Sequence, residues 1–287
     1  MKTAITLLFL SKIKQSLIYK IGIIFILLLL SYPNCVAMTK EIALTIDDLP
    51  FVGTNSNDMG NLKRSHNRFM NILQSLIDAH IPATGFIIAN SIGKGQWQLL
   101  EAFRNAGFEL GNHTYSHPNL NHMTAEQYIE EISKADKILS PILTQPKYFR
   151  YPYLAEGKGN TKQAIQDYLV ANQYIVAPVT IDSKDYLFNE RLLKISWRTR
   201  ASHLNQIKQQ YLAYIWQQTL RAEKRTTDGN AKQILLLHSN LLNSHFLADV
   251  IQLYKQHGYK FISLGEALTN PAPALLVNEQ PDWFGLN

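Results

Sequence analysis

Cysteine is nearly absent from this chain of 287 residues: Cys35 is the only one, and it lies close to the N-terminus. If the segment around it is removed, the rest of the chain contains no thiol. Disulfide bonds and thiolate metal sites are then excluded. Any metal ion bound by the remaining chain must therefore be held by histidine and carboxylate side chains.

Long apolar runs are also scarce, and the one that stands out covers residues 21–30. Four lysines precede it, and residues 1–37 contain no acidic side chain. This order is typical of a secretory signal peptide, which we expect to be removed after Ala37. A run extended back toward Ile13 would instead form an uncleaved, tilted membrane anchor. The sequence therefore predicts an exported protein of the periplasm, cell envelope or medium, with membrane contact only through such an anchor.

A strong charge of either sign is missing once this segment is set aside. The formal net charge of the whole chain is +6, and the four N-terminal lysines account for four of those charges, which leaves +2 for residues 38–287. No stripe of lysine and arginine interleaved with aromatic residues occurs. The sequence thus predicts no nucleic-acid partner.

Flexible linkers and internal repeats are absent as well, so residues 38–287 are expected to form one domain. Apolar runs rich in β-branched residues alternate with segments of helical period, which predicts an α/β barrel-like fold around a parallel sheet. The segment 187–232 is expected to be an inserted helical excursion on the rim of the site. The expected strands are 42–46, 83–89, 108–110, 148–150, 174–181, 234–237 and 260–264. The expected helices lie near 62–79, 97–106, 124–139, 161–170, 203–224, 246–257 and 265–269.

Polar side chains stand directly after five of these seven strands. Ligands of parallel α/β folds bind beyond the carboxyl ends of the strands, so these residues are candidates for a functional site. Their coincidence at five strand ends is more informative than any one of them alone. They are Asp47 and Asp48, His113 and His117, Arg150, Asp182, and His238.

Two of these strand ends carry paired residues. Asp47 and Asp48 point in different directions because side chains alternate along a strand, so one could bind a metal ion while the other acts as a base. The plainer alternative is an ordinary turn. His113 and His117 are four residues apart, and a locally helical loop would put both imidazoles on one face. With Asp48 they make a two-histidine, one-carboxylate set with open coordination positions, which suits catalysis.

The other strand ends supply charged and proton-transfer groups. Arg150 can hold a carboxylate in place, and the backbone N–H of Tyr153 can face a developing oxyanion. A surface ion pair is the alternative for this arginine. His238 would suit proton donation to a leaving amine if a carboxylate raised its pKa. The remaining six histidines are interpreted as solvated or structural.

The ordered motifs resemble those of the polysaccharide deacetylase family, also called the NodB-homology domain or carbohydrate esterase family 4. The resemblance covers most of residues 41–265 and implies a distorted, incomplete (β/α) barrel of seven or eight mostly parallel strands. Residues 45–48 (Thr-Ile-Asp-Asp) are similar to the family's Thr-Phe-Asp-Asp-Gly motif, and residues 113–117 (His-Thr-Tyr-Ser-His) and 150–153 (Arg-Tyr-Pro-Tyr) match its next two motifs, His-[Ser/Thr]-x-x-His and Arg-x-Pro-Tyr.

The resemblance implies roles on the water-activating side of a catalytic site. Asp48, His113 and His117 would bind a divalent metal ion, usually zinc. Asp47 would be the base that activates water, and Arg150 would orient Asp47.

It also implies roles on the leaving-group side. The N–H of Tyr153 would stabilise the oxyanion together with the metal. His238 would protonate the leaving amine, with Asp182 as its partner. Leu236 and Tyr186 would line the pocket for the acetyl methyl group.

Three positions depart from the family pattern: Leu49 replaces the usual glycine, Tyr186 stands where tryptophan is common, and Ser239 stands where an acidic residue is frequent. None removes a metal ligand or a proton-transfer group, so they bear on the substrate more than on the chemistry. The implied function is removal of N-acetyl groups from N-acetylglucosamine units of an envelope or extracellular polysaccharide, such as peptidoglycan or a chitin-like glycan. The alternatives are an O-acetyl esterase or small C–N amidohydrolase on this scaffold, and a non-catalytic carbohydrate-binding protein.

Overall fold

The computed structural model describes residues 39–51, 59–226 and 229–275. The signal peptide expected in residues 1–37 lies outside these ranges and stays a prediction. Within the described residues, no helix combines the length and the apolar character that crossing a lipid bilayer requires.

Eight strands in the described residues form one sheet, and every strand pairs in parallel with its neighbour. They are β1 (Lys40–Leu49), β2 (Thr84–Ile87), β3 (Glu109–Asn112), β4 (Lys147–Phe149), β5 (Tyr174–Val176), β6 (Ile181–Asp182), β7 (Gln233–His238) and β8 (Tyr259–Ile262). The order across the sheet is β5-β4-β3-β2-β1-β7-β6, and β8 pairs with the first residues of β1. The ends of this order, β5 and β6, do not pair, which confirms the incomplete (β/α) barrel.

Within the same residues, eight α-helices connect and cover the strands. They are α1 (Met59–Ala79), α2 (Trp97–Asn105), α3 (Ala125–Leu139), α4 (Gly159–Ala171), α5 (Asp185–Lys194), α6 (Arg200–Arg225), α7 (Leu241–Gln256) and α8 (Leu264–Ala267). These bounds agree closely with the helices expected from the sequence, except that α7 begins earlier and α5 was expected only as part of the helical segment 187–232, without bounds of its own.

Helix α3 shows how the sequence dictates one of these elements. The N–H of Gln127 donates to Thr124 Oγ1, and the N–H of Thr124 donates to Gln127 Oε1, which forms a capping box at the start of the helix. Tyr128, Ile132 and Leu139 then recur at helical spacing and are fully buried. Truncation of a buried leucine or isoleucine to alanine costs about 2–5 kcal/mol, so this apolar face fixes α3 against the sheet.

The strand expected over 174–181 is in fact two strands, β5 and β6, at opposite ends of the sheet order. Pro178 has no N–H to donate to a neighbouring strand. The carbonyl oxygens of Ala177 and Pro178 instead accept hydrogen bonds from Arg150, at 2.7 and 3.5 Å. The backbone therefore leaves the sheet here and rejoins it where Ile181 pairs with Leu235.

Helices α5 and α6 account for most of the described residues of the segment 187–232, and they pack into the core on the crossover between β6 and β7. Phe188, Tyr211 and Ile215 are buried in the main core. Tyr211 Oη donates to Asn243 Oδ1 of α7 at 2.8 Å. Burial of a large apolar side chain contributes about 1.5–3 kcal/mol, so these helices stabilise the barrel.

Candidate active site

Strand register brings the candidate residues to one edge of the sheet. β1 and β7 pair so that Asp47 lies beside His238. β3 and β4 end side by side, which brings His113 next to Arg150. Since neighbouring strands are only about 4.8 Å apart, residues that follow adjacent strands can share one site.

Asp48, His113 and His117 form a compact cluster at this edge. Asp48 Oδ1 lies 3.6 Å from His113 Nε2 and 3.4 Å from His117 Nε2. One ligand atom from each residue lies within 4.8 Å of the other two. Asp48 has a φ of 64°, a left-handed conformation that aspartate adopts more readily than most residues. This turn gives the two neighbouring carboxylates different surroundings: Asp48 lies beside both imidazoles, whereas Asp47 lies beside Arg150 and His113.

The donor atoms of this cluster fit a divalent cation. His113 Nδ1 lies 2.8 Å from the carbonyl oxygen of Arg150. Because a carbonyl oxygen can only accept, Nδ1 carries the proton and Nε2 carries a lone pair. Asp48 Oδ1 is buried and has no hydrogen-bond partner. The lone pairs of His113 Nε2 and Asp48 Oδ1 therefore face one another, and two imidazoles with one carboxylate suit zinc and similar ions while leaving coordination positions open.

Burial keeps both imidazoles of the cluster neutral. It lowers the pKa of His113 to about 3, and burial together with the neighbouring His113 lowers the pKa of His117 to about 3. Burial also raises the pKa of Asp48 to about 6, because its negative charge is poorly solvated. Neutral imidazole is the form that binds metal ions, so the cluster is ready to bind a cation near neutral pH.

The loop 113–117 is not helical, so the local helix expected from the histidine spacing is wrong. Thr114 and His117 have φ values of 67° and 62°. The N–H of Thr114 donates to Asn112 Oδ1 at 2.8 Å, and the N–H of His117 donates to Thr114 Oγ1 at 3.1 Å. Side-chain oxygens thus replace the carbonyl acceptors of a helix, and both imidazoles still contact Asp48.

Asp47 and Arg150 form a buried ion pair beside the cluster. Asp47 is 3% exposed and Arg150 is 1% exposed. Arg150 Nη1 lies 3.4 Å from both carboxylate oxygens of Asp47, and Nη2 donates to Thr45 Oγ1 at 3.2 Å. The guanidinium also lies 4.7 Å from the centre of the Phe86 ring. Burial raises the pKa of Asp47 more than Arg150 lowers it, which favours a carboxylate that can accept a proton.

His238 pairs with Asp185, so the expected pairing with Asp182 is wrong. His238 Nδ1 lies 2.6 Å from Asp185 Oδ1, and the N–H of His238 donates to Asp185 Oδ2 at 2.7 Å. Asp185 is fully buried and also accepts hydrogen bonds from the side chains of Asn240 and Asn243. Burial alone would lower the pKa of His238, but the Asp185 carboxylate outweighs it and raises the pKa to about 10. His238 is therefore protonated at neutral pH.

The backbone at Lys184 explains why Asp185 takes this place. Lys184 has a φ of 50°, and α5 begins at the next residue, which turns Asp185 into the core. Asp182 accepts a hydrogen bond from the N–H of Lys184 at 2.9 Å and pairs with its Nζ at 2.8 Å. An acidic residue in the first turn is a signal for a helix start, so recognition of α5 in the sequence would have identified Asp185.

Two exposed tyrosines lie next to the histidines of the site. Tyr153 is 62% exposed, has a φ of 56°, and its ring centre lies 4.6 Å from that of His117. Tyr186 is 44% exposed, and its ring meets that of His238 edge to face at 5.9 Å. Leu236 is buried on β7, two residues before His238. The roles expected for the Tyr153 N–H, Tyr186 and Leu236 stay predictions.

A cleft of about 750 Å³ lies beside the cluster. The segment 150–155 separates the two: Tyr153 contacts His117, whereas Leu154 and Ala155 line the cleft. The opposite wall is the segment 176–179, which connects β5 to β6. Among the candidate site residues, Arg150 lines this cleft, whereas Asp48, His113 and His117 are not part of its lining.

Fold and site together define a class: an incomplete parallel (β/α) barrel with an Asp-His-His cluster at its carboxyl edge, between a buried carboxylate and a protonated histidine. Residues 37–171 match the family model described as polysaccharide deacetylase. The resemblance predicted from the motifs is thereby confirmed over these residues, which are similar to the polysaccharide deacetylase family. His238 and Asp185 lie beyond the matched residues.

Known relatives agree with this match. The chain is 32% identical over 114 residues to a peptidoglycan-N-acetylglucosamine deacetylase of Bacillus cereus. This alignment covers 39% of this chain and 36% of that protein. It is 24% identical to a chitin deacetylase of Colletotrichum lindemuthianum over 79% of each protein. The alignments with the first four curated relatives span 30–37% of their length.

A solved structure shows the same fold. A pseudoenzyme of carbohydrate esterase family 4 from Bacillus anthracis superposes with a TM-score of 0.55 at 18% identity, over 84% of this chain and 68% of that one. Likeness at this level of identity establishes the fold alone. Activity has to be argued from the residues of the site.

Proposed function

We propose that this protein is a metal-dependent deacetylase that hydrolyses N-acetyl groups of N-acetylglucosamine units in an envelope or extracellular glycan. The match of residues 37–171 to the family model and the named activities of the relatives support the reaction class. One observation carries the proposal: Asp48, His113 and His117 converge beside Asp47, whose burial raises its pKa, and His238, whose pKa the Asp185 carboxylate raises to about 10.

The chemistry of an amide explains why all these groups are needed. Hydrolysis requires an activated water, a polarised carbonyl and a proton for the leaving nitrogen. Asp48, His113 and His117 would hold a divalent ion, for which zinc is the leading candidate, and such an ion would acidify water and polarise the acetyl carbonyl. The protein side chains supply the proton transfers.

Asp47 is the proposed base. Arg150 holds its carboxylate from one side, and Asp47 Oδ2 lies 3.7 Å from His113 Nε2, so the base adjoins the proposed metal ligands. Asp47 accepts a proton from the attacking water, whose oxygen bonds to the acetyl carbon. The raised pKa of Asp47 favours this transfer, because a stronger base accepts the proton more readily.

His238 is the proposed acid. Asp185 binds Nδ1 and keeps the ring protonated, which leaves the proton on Nε2 for the substrate. When the C–N bond breaks, His238 donates this proton to the leaving nitrogen. The products are acetate and a free amino sugar, and proton exchange with solvent returns Asp47 and His238 to their starting states.

The site residues favour this proposal over one of its alternatives, a protein that only binds carbohydrate. Such a protein needs neither a base nor an acid, the roles proposed here for Asp47 and His238. An O-acetyl esterase or a small-amide hydrolase would use the same groups, so substrate identity has to be measured. We further propose that the N-terminal segment directs export, which would bring the protein to a glycan outside the cytoplasm.

An acetate-release assay tests the proposed function. The chain is stripped with a chelator, reloaded with zinc or cobalt, and offered peptidoglycan, chitooligosaccharides, acetylated xylan and small acetamides. We expect the metal-loaded protein to release acetate from an N-acetylated glycan and the stripped protein to be inactive. Acetate release from xylan alone would favour the esterase, and release from none of these substrates would contradict the proposed function.

A further inference from the structure

The two histidines of the loop 113–117 are not held equally. His113 is 2% exposed, its N–H donates to the carbonyl of Ile87 at 3.0 Å, and its Nδ1 is bonded to the carbonyl of Arg150. The side chain of His117 is 22% exposed, and its N–H bonds to the Thr114 side chain within the same loop. The position of His117 therefore depends on whatever holds the loop from outside.

Helix α3 contacts this loop at two successive residues. Glu131 Oε2 accepts a hydrogen bond from the N–H of Ser116 at 2.7 Å, and Oε1 accepts one from Ser116 Oγ at 3.0 Å. Lys134 Nζ lies 3.4 Å from the centre of the Tyr115 ring. Residues three positions apart share a helix face, so these two side chains hold the loop immediately before His117.

We propose that Glu131 is a positioning residue that holds His117 in the geometry needed to bind a metal ion. The inference rests on the metal site of the proposed function. Glu131 acts through Ser116, with two hydrogen bonds to a carboxylate, and such charge-assisted bonds are stronger than neutral ones. Helix α3 is itself fixed by its buried apolar face, so the loop is tied to a rigid element.

Zinc affinity of the metal-free full chain tests this inference, measured by competition with a chromophoric chelator. Loss of a residue that supports a metal ligand weakens metal binding about 10- to 100-fold, and we expect a change of this size for Glu131→Ala. Glu130→Ala is the matched control, because Glu130 is the exposed neighbour on the same helix. It should bind zinc as tightly as the wild type.

A double-variant cycle separates positioning from a general structural role. If Glu131 acts through His117, Glu131→Ala adds no further loss of affinity to a His117→Ala chain. Glu131→Gln keeps an acceptor for the Ser116 N–H and is expected to recover most of the affinity. Ser116→Ala removes one of the two bonds, should weaken binding in the same direction, and repeats the test if Glu131→Ala does not fold.

Two outcomes would overturn the inference. Wild-type zinc affinity in Glu131→Ala, or losses that add fully in the double variant, would show that Glu131 does not position His117, while the proposed function would stand. Absence of zinc binding by the wild-type chain would contradict both the inference and the proposed metal-dependent function.

Discussion

The histidines of the site fall into two environments with opposite protonation. His113 and His117 have pKa values lowered to about 3, whereas the pKa of His238 is raised to about 10. Burial acts in the same direction on all three. For the two buried most deeply, the partner of Nδ1 differs: a carbonyl oxygen for His113 and the Asp185 carboxylate for His238. A single hydrogen-bond partner thus distinguishes a neutral metal ligand from a proton donor.

The largest effect should come from removing both neutral histidines. A His113→Ala, His117→Ala double variant loses two of three ligands and should retain almost no zinc, measured as bound metal per chain after dialysis. A His122→Ala, His203→Ala double variant removes two exposed histidines away from the cluster and should keep its metal. Full zinc content in the first variant would refute the ligand set.

Asp47→Asn should separate chemistry from metal binding. The amide cannot accept the proton from water, so the turnover number for acetate release should fall about 10²–10⁴-fold, while zinc content stays at the wild-type level. Asp48→Asn, in contrast, should lose the metal. Normal turnover by Asp47→Asn would contradict the assignment of Asp47 as the base.

Asp185→Asn should move the alkaline limit of activity. Without the carboxylate, burial lowers the pKa of His238, so the acid form is lost at a lower pH than in the wild type. The pH profile of the turnover number reports this shift. Asp182→Asn is the control, because Asp182 contacts Lys184 and not His238. A shifted profile in Asp182→Asn alone would restore the pairing that the sequence suggested.

The smallest effect concerns the pH dependence of the free energy of unfolding. The folded-state pKa of His238, about 10, lies above its ordinary value of 6.5. The stabilisation is therefore fully present below pH 6.5 and is lost as pH rises toward 10. Between these limits, the free energy of unfolding of the metal-free wild type, measured with urea, should fall by roughly 1–3 kcal/mol more than that of His238→Gln. Parallel stability curves for the two chains would contradict the proposed His238–Asp185 coupling.

The sequence predicts the parallel barrel and the residues at its carboxyl edge because both depend on local patterns. Apolar runs mark the strands, and parallel strands end at one edge, so Asp48, His113 and His117 could be brought together without coordinates. The confirmed family resemblance and the incomplete barrel follow from the same ordered positions.

What the sequence could not predict depends on contacts between distant residues. The left-handed conformations of Thr114 and His117 require acceptors from Asn112 and Thr114 side chains, which no helical or strand period reveals. The split of the strand over 174–181 depends on Arg150, which binds the carbonyls of Ala177 and Pro178. The sequence also did not identify Asp185, in place of Asp182, as the partner of His238, because Asp185 lies in the core only through the position of α5.

Turnover of the zinc-loaded chain and its Asp47→Asn variant, measured on one N-acetylated glycan with zinc content determined for both, tests the central claim most directly. The site described here predicts acetate release by the wild type, a loss of about 10²–10⁴-fold in the variant, and equal zinc in the two. Equal turnover of the two zinc-loaded chains, or acetate release by a wild-type chain that holds no metal, would contradict it.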